Sequence, residues 1–201
     1  RYKLVTGVQT CALPISKRSL MFLSVTLEES GLLGSKYYVA NPLMPLKDTV
    51  ATINMDAIQV IGKTRDVVVI GYGNSELEDI LKRKAEEQGR IVVPEPTPEN
   101  GFYYRSDHFN FAHAGVPSLY AKNGIDHIEK GEAYGRQIAA DYVAKNYHKP
   151  SDEYDPAWDL SGNVQDTELL YAVARELADG SAWPNWYEGT EFRATREAMR
   201  R

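Results

Sequence analysis

Short apolar runs alternate with helical patterns along this chain, and that alternation restricts it to an α/β architecture. Residues 20–27 read as a nearly continuous apolar strand buried on both faces. Residues 50–56 and 66–71 read as two more strands, 91–93 as a short one, and 118–121 as the last. Helical patterns fall at 31–40, closed by Asn41-Pro42, and at 76–88. In the second of these, Leu77, Ile80, Leu81 and Ala85 share one face ahead of Gly89. Two further helices are expected at 106–114 and 161–178. This order predicts a three-layer α/β/α sandwich around a mainly parallel, mixed sheet.

No internal repeat or linker divides the chain, so residues 17–182 are expected to form one domain, with 183–201 a polar extension at its periphery. Lys and Arg number 23 against 28 Asp and Glu, a net charge of −5 without a basic stripe, which makes nucleic acid an unexpected partner. The apolar runs are far shorter than the roughly 20 residues that cross a bilayer as a helix. A single cysteine, Cys11, excludes an internal disulfide and a cysteine-only zinc cluster.

Residues 1–16 show neither helical nor strand periodicity and lack the apolar core of a secretory signal. The stretch Val5-Thr-Gly-Val-Gln-Thr-Cys-Ala-Leu-Pro-Ile15 resembles a translated sequencing-adapter scar. On that reading the authentic chain begins mid-protein near Lys17; the alternative is a natural N-terminal arm.

The chemistry-bearing residues gather at expected strand ends, where ligands bind in open α/β sheets. One strand runs into Leu27-Glu28-Glu29-Ser30, and another ends Asn54-Met55-Asp56. Adjacent carboxylates repel unless a cation sits between them or one is protonated. One could therefore hold a metal while its neighbour faces a metal-bound water; a solvated turn is the plain alternative. His148, ahead of Pro150 and Asp152, could be a ligand with a carboxylate behind it, or a surface histidine. Arg105-Ser106-Asp107-His108 opens a helix in which Ser106 can serve as N-cap, leaving His108 without an explanation. His113 and His127 receive no role. No Gly-x-Ser-x-Gly elbow, Walker loop or His-Glu-x-x-His is present, which leaves hydrolysis at a dispersed metal site.

Four motifs occur in order: Thr26-Leu-Glu-Glu-Ser-Gly-Leu-Leu-Gly-Ser35, Ile53-Asn-Met-Asp56, Tyr104-Arg-Ser-Asp-His-Phe109 with Gly115-Val-Pro117, and Tyr147-His-Lys-Pro-Ser-Asp152. Together they resemble the co-catalytic zinc aminopeptidases of metallopeptidase family twenty-eight, whose relatives include bacterial leucyl aminopeptidases and, more distantly, glutaminyl cyclases. The resemblance covers residues 17 to the tail. It implies a zinc-peptidase fold, two zinc ions, a peptide substrate and export to the periplasm or cell exterior. It casts Glu28 as general base and Glu29, Asp56 and His148 as zinc ligands. Ser106, Asp107 and His108 would support substrate or the tetrahedral intermediate, and Asp152 would stand behind His148.

Two further family ligands, a histidine and a bridging aspartate, lie upstream of these motifs. No histidine precedes His108 here and no aspartate precedes Asp48. One zinc would keep Glu29 and His148, the other only Asp56, whereas catalytic zinc usually keeps three protein ligands. The resemblance thus implies a fold incomplete at its N-terminus and a poor catalyst as written. A one-zinc acyltransferase of the glutaminyl-cyclase type and a metal-free binding module are the rival readings. Retention of both Glu28 and Glu29 speaks against the module, which needs no base.

Overall fold

A computed structural model describes residues 16–57 and 60–201. The expectations placed on residues 1–15, including Cys11, fall outside the described residues. The sheet has four strands: β1 (Thr52–Asn54), β2 (Asp66–Val69), β3 (Ile91–Pro94) and β4 (Ser118–Asn123). Their spatial order is β1-β4-β2-β3. β1 runs parallel to β4 and β2 parallel to β3, while β2 and β4 are antiparallel.

Side chains alternate across the strands, so each face collects its own core. Val67, Val69, Leu119 and Ala121 pack against Leu77 and Leu81 of α2 (Leu77–Glu87) and Leu169 and Val173 of α5 (Ser161–Asp179). On the opposite face Val68, Ile70 and Tyr120 meet Tyr103 and Ala112, the latter from α3 (His108–His113), together with Trp186 and Phe192. Helices therefore cover both faces, and the three expected layers are present. α1 (Leu33–Ala40) ends at Asn41, one residue before Pro42, where the proline disfavours further helix.

Three differences from the sequence reading have physical causes. Residues 20–27 form no strand, because no neighbouring strand among the described residues supplies a ladder. Met21, Phe22 and Leu27 consequently stay exposed. The tail is not peripheral: Trp186, Phe192 and Arg196 are all buried, and α6 (Arg193–Met199) carries the last of them. Its polar composition hid a few large residues that finish the second core. α4 (Gly131–Lys145) arises where no helix was expected, since its apolar residues form no single stripe and Val143 faces solvent.

Candidate active site

Glu28 and Glu29 ride on a loop wound tightly onto the start of α1. The backbone N–H of Leu32 donates to the Glu28 carbonyl (2.9 Å), that of Leu33 to Leu27 (3.1 Å), and that of Gly34 to Thr26 (2.9 Å). From α3, the Asn110 side-chain amide donates to the Leu32 carbonyl (3.2 Å) and the Ser35 hydroxyl (2.8 Å). The loop is thereby clamped between two helices. Leu27 and Leu32 both have φ of 59°, and His148 has φ of 56°. Among the described residues these are the non-glycine positions in left-handed backbone, a conformation that costs energy and tends to mark functional sites.

Asp56 lies just past β1. The Ser106 hydroxyl, buried beside it, donates to Asp56 Oδ2 at 2.5 Å and accepts from Asn54 Nδ2 at 2.8 Å. Ser106 was expected as a helix cap; the cap position falls to Asp107, and the Ser106 hydroxyl is spent on Asp56 instead. Ser106→Ala is expected to cost about 1–3 kcal/mol, because Asn54 and a carboxylate both lose a partner. A lower urea midpoint in the variant checks this; an unchanged midpoint would show that the hydroxyl does not hold Asp56.

The chain leaving α4 brings in the remaining group. His148 Nε2 stands 2.9 Å from Glu29 Oε1, and the Tyr147 ring stacks on the imidazole at 3.9 Å between centroids. The Glu28 carboxyl is pushed above its ordinary range, first by burial and then by the charges of Asp56, Glu29 and Asp107, with His148 opposing. Asp107 is raised too, by burial with the Asp56 charge adding, against the Ser35 hydroxyl. The charges acting on Glu28 place four carboxylates and one imidazole in a single electrostatic neighbourhood. Tyr120 belongs to it as well: burial, then Asp56, raise its hydroxyl well above the ordinary tyrosine value. Sequence reasoning missed both tyrosines. Tyr147 was at least adjacent to a motif histidine, but only the β1–β4 register, which sets Asn54 opposite Tyr120, brings Tyr120 to Asp56.

The sequence profile of Peptidase family M28 matches residues 4–172, a span that contains Glu28, Glu29, Asp56, Ser106 and His148. The chain belongs to peptidase family M28. A search among curated proteins gives no match. M28 membership makes the chain a hydrolase of the metallopeptidase class, in a family that is generally zinc-dependent.

Glu29 and His148 are of the right chemistry for zinc in an M28 site, and their contact lets both atoms approach one position. Their number falls short. Among the described residues no three His, Cys, Asp or Glu side chains gather where they could hold one ion. The Asp56 carboxylate accepts the Ser106 hydroxyl.

Two further expected site residues have partners of their own. His108 is 1 % exposed, sandwiched between Tyr103 (4.7 Å) and Tyr120 (5.0 Å). Both of these tyrosines belong to the second core. Neither ring nitrogen has a hydrogen-bond partner among the described residues, and burial pushes its pKa down to about 4. Asp152 accepts a hydrogen bond from the Tyr142 hydroxyl at 2.8 Å, tying its loop to α4.

His108 carries a pH prediction. Its folded pKa is depressed from 6.5 to about 4, so it stabilises the fold fully above pH 6.5, and that contribution is lost as pH falls toward 4. The shift corresponds to about 3 kcal/mol. Urea unfolding at pH 7 and at pH 4 should show a smaller acid loss in His108→Phe than in wild type. Equal losses would mean that other groups govern acid unfolding.

Proposed function

We propose that the chain carries the catalytic face of a zinc-dependent aminopeptidase. Glu28 is the general base, Glu29 and His148 are donors to one zinc, and Asp56 is a donor to a second. The observation that carries this reading is the meeting of two distant segments, Glu29 and His148 at 2.9 Å, beside a glutamate whose pKa is raised. Bound zinc supplies Lewis-acid polarisation of the scissile carbonyl and a more acidic water. Glu28 takes the water's proton on its carboxylate and returns it to the leaving amine, which suits a carboxyl lifted toward the working pH. Asn54 and Ser106 hold Asp56 in orientation. The amino-terminal cut follows the resemblance of the four motifs to the co-catalytic zinc aminopeptidases.

With two donors for one ion and one for the other, the 201-residue chain alone is expected to bind zinc weakly and to hydrolyse aminoacyl substrates slowly. Adding a histidine and an aspartate donor to the site should raise an aminopeptidase activity that chelators remove. Mass spectrometry on peptides with free and blocked N-termini checks the specificity. Cleavage of blocked peptides, or cyclisation of an N-terminal glutamine in place of hydrolysis, would overturn the assignment.

A further inference from the structure

The chain leaving α4 delivers Tyr147 and His148 to Glu29, yet α4 is anchored at its start. Gly135 is its buried residue, and a Cβ there would lie 2.0 Å from the Ile125 carbonyl oxygen, so the first turns press on the loop after β4. That loop is itself tied down. The buried Asp66 carboxylate accepts the backbone N–H groups of Ile125 (3.1 Å) and Asp126 (2.9 Å).

His127 sits in this loop, 7 % exposed, with Tyr134 of α4 edge-on to its ring at 5.1 Å. Its Nδ1 accepts two backbone N–H groups just ahead of the helix, from Glu129 at 3.1 Å and Lys130 at 3.0 Å. The residue at the cap position, Lys130, supplies no side-chain acceptor of its own. On the other side of the ring, Nε2 and the Asp159 carboxylate converge on Gly62. A Cβ built there would stand 3.1 Å from Nε2 and 2.6 Å from Asp159 Oδ2. Asp159 in turn accepts the backbone N–H of Ser161, the first residue of α5, at 2.9 Å. A nitrogen that accepts two hydrogen bonds carries no proton, so the His127 proton belongs on Nε2, on the Asp159 side.

We infer that His127 is a positioning residue for the candidate active site: as the neutral Nε2–H tautomer it accepts, through Nδ1, the backbone N–H groups that lead into α4 and so fixes where Tyr147 and His148 come to rest against Glu29. Geometry gives the leverage. Fifteen helical residues span about 22 Å, so a tilt of about 10° at one end carries the other about 4 Å. That exceeds the 2.9 Å contact between His148 and Glu29. The tether holds without any metal; only its bearing on catalysis rests on His148 being a ligand, as proposed above.

The test uses the metal-free 201-residue chain. Nitrogen NMR of the assigned His127 ring near neutral pH should show an unprotonated Nδ1 and a protonated Nε2; a protonated Nδ1 would overturn the inference. H127L removes the acceptor, whereas H127N places a carbonyl oxygen near the position of Nδ1. In H127L, amide exchange across 132–145 should rise about 10-fold or more relative to that of β2 and β4. The His148 ring signals should move toward those of a free histidine, and H127N should restore both. Unchanged exchange and His148 signals in H127L, or an H127N protein indistinguishable from H127L, would refute it. Should H127L fail to fold, the wild-type tautomer and the exchange pattern of H127N still decide. Failure of the zinc reading would leave all these metal-free signals as expected.

Discussion

Glu28→Gln is expected to lower kcat by about 100- to 10,000-fold while zinc content stays unchanged, because a positioned base contributes on that scale and Glu28 is cast as base rather than ligand. The measurement belongs in the zinc-loaded enzyme. Glu29→Gln in the same background should instead lower zinc occupancy, since its carboxylate is a direct donor held against His148. The two neighbours are separable by their surroundings. Burial and three nearby carboxylates raise the Glu28 carboxyl in the metal-free chain, whereas Glu29 stands against His148. Equal loss of zinc in both variants would refute the division of roles.

Trp186→Ala is expected to cost about 3–5 kcal/mol, the usual scale for emptying a large aromatic site in a core. Trp186 is fully buried, packs on Phe192 at 5.1 Å and donates its indole N–H to the Gly115 carbonyl at 3.0 Å. Ten residues on, the buried Arg196 donates to the Thr49 carbonyl at 2.9 Å, so the tail also fastens the approach to β1. Burial holds the Arg196 guanidinium at a pKa of about 10, still charged at neutral pH. Since β1 leads directly to Asp56, a damaged tail should disturb the site as well as the fold. Urea unfolding measures the first effect, and a loss below about 1 kcal/mol would return the tail to the periphery. Trp186→Phe, which keeps most of the apolar contact and forfeits the hydrogen bond, should lose far less.

What the sequence by itself determined is local and periodic. The Val67-Val-Val69 run, the apolar face of α2 and the long α5 were legible because each element announces its own period, and alternation of the two periods sets the layered class. Glu28, Glu29, Asp56, Ser106 and His148 were legible as candidates because their residue types are those that metal-assisted hydrolysis needs. Tertiary structure decided whatever depends on a partner far along the chain. Residues 20–27 have the composition of a strand, but a strand exists only through a neighbour's hydrogen bonds, and no sequence window contains that neighbour. Ser106 could cap a helix or hold a carboxylate, and the end of β1 lying beside it chose the carboxylate. His108 looked like a site residue until the packing of Tyr103 and Tyr120 enclosed it. His127 and Trp186, the first a loop histidine without a pattern and the second one aromatic in a polar tail, gain their roles only because folding brings 62, 115 and 159 to them. Periodicity reports which face of an element is apolar; which distant residue meets that face is fixed by the packing of the whole chain.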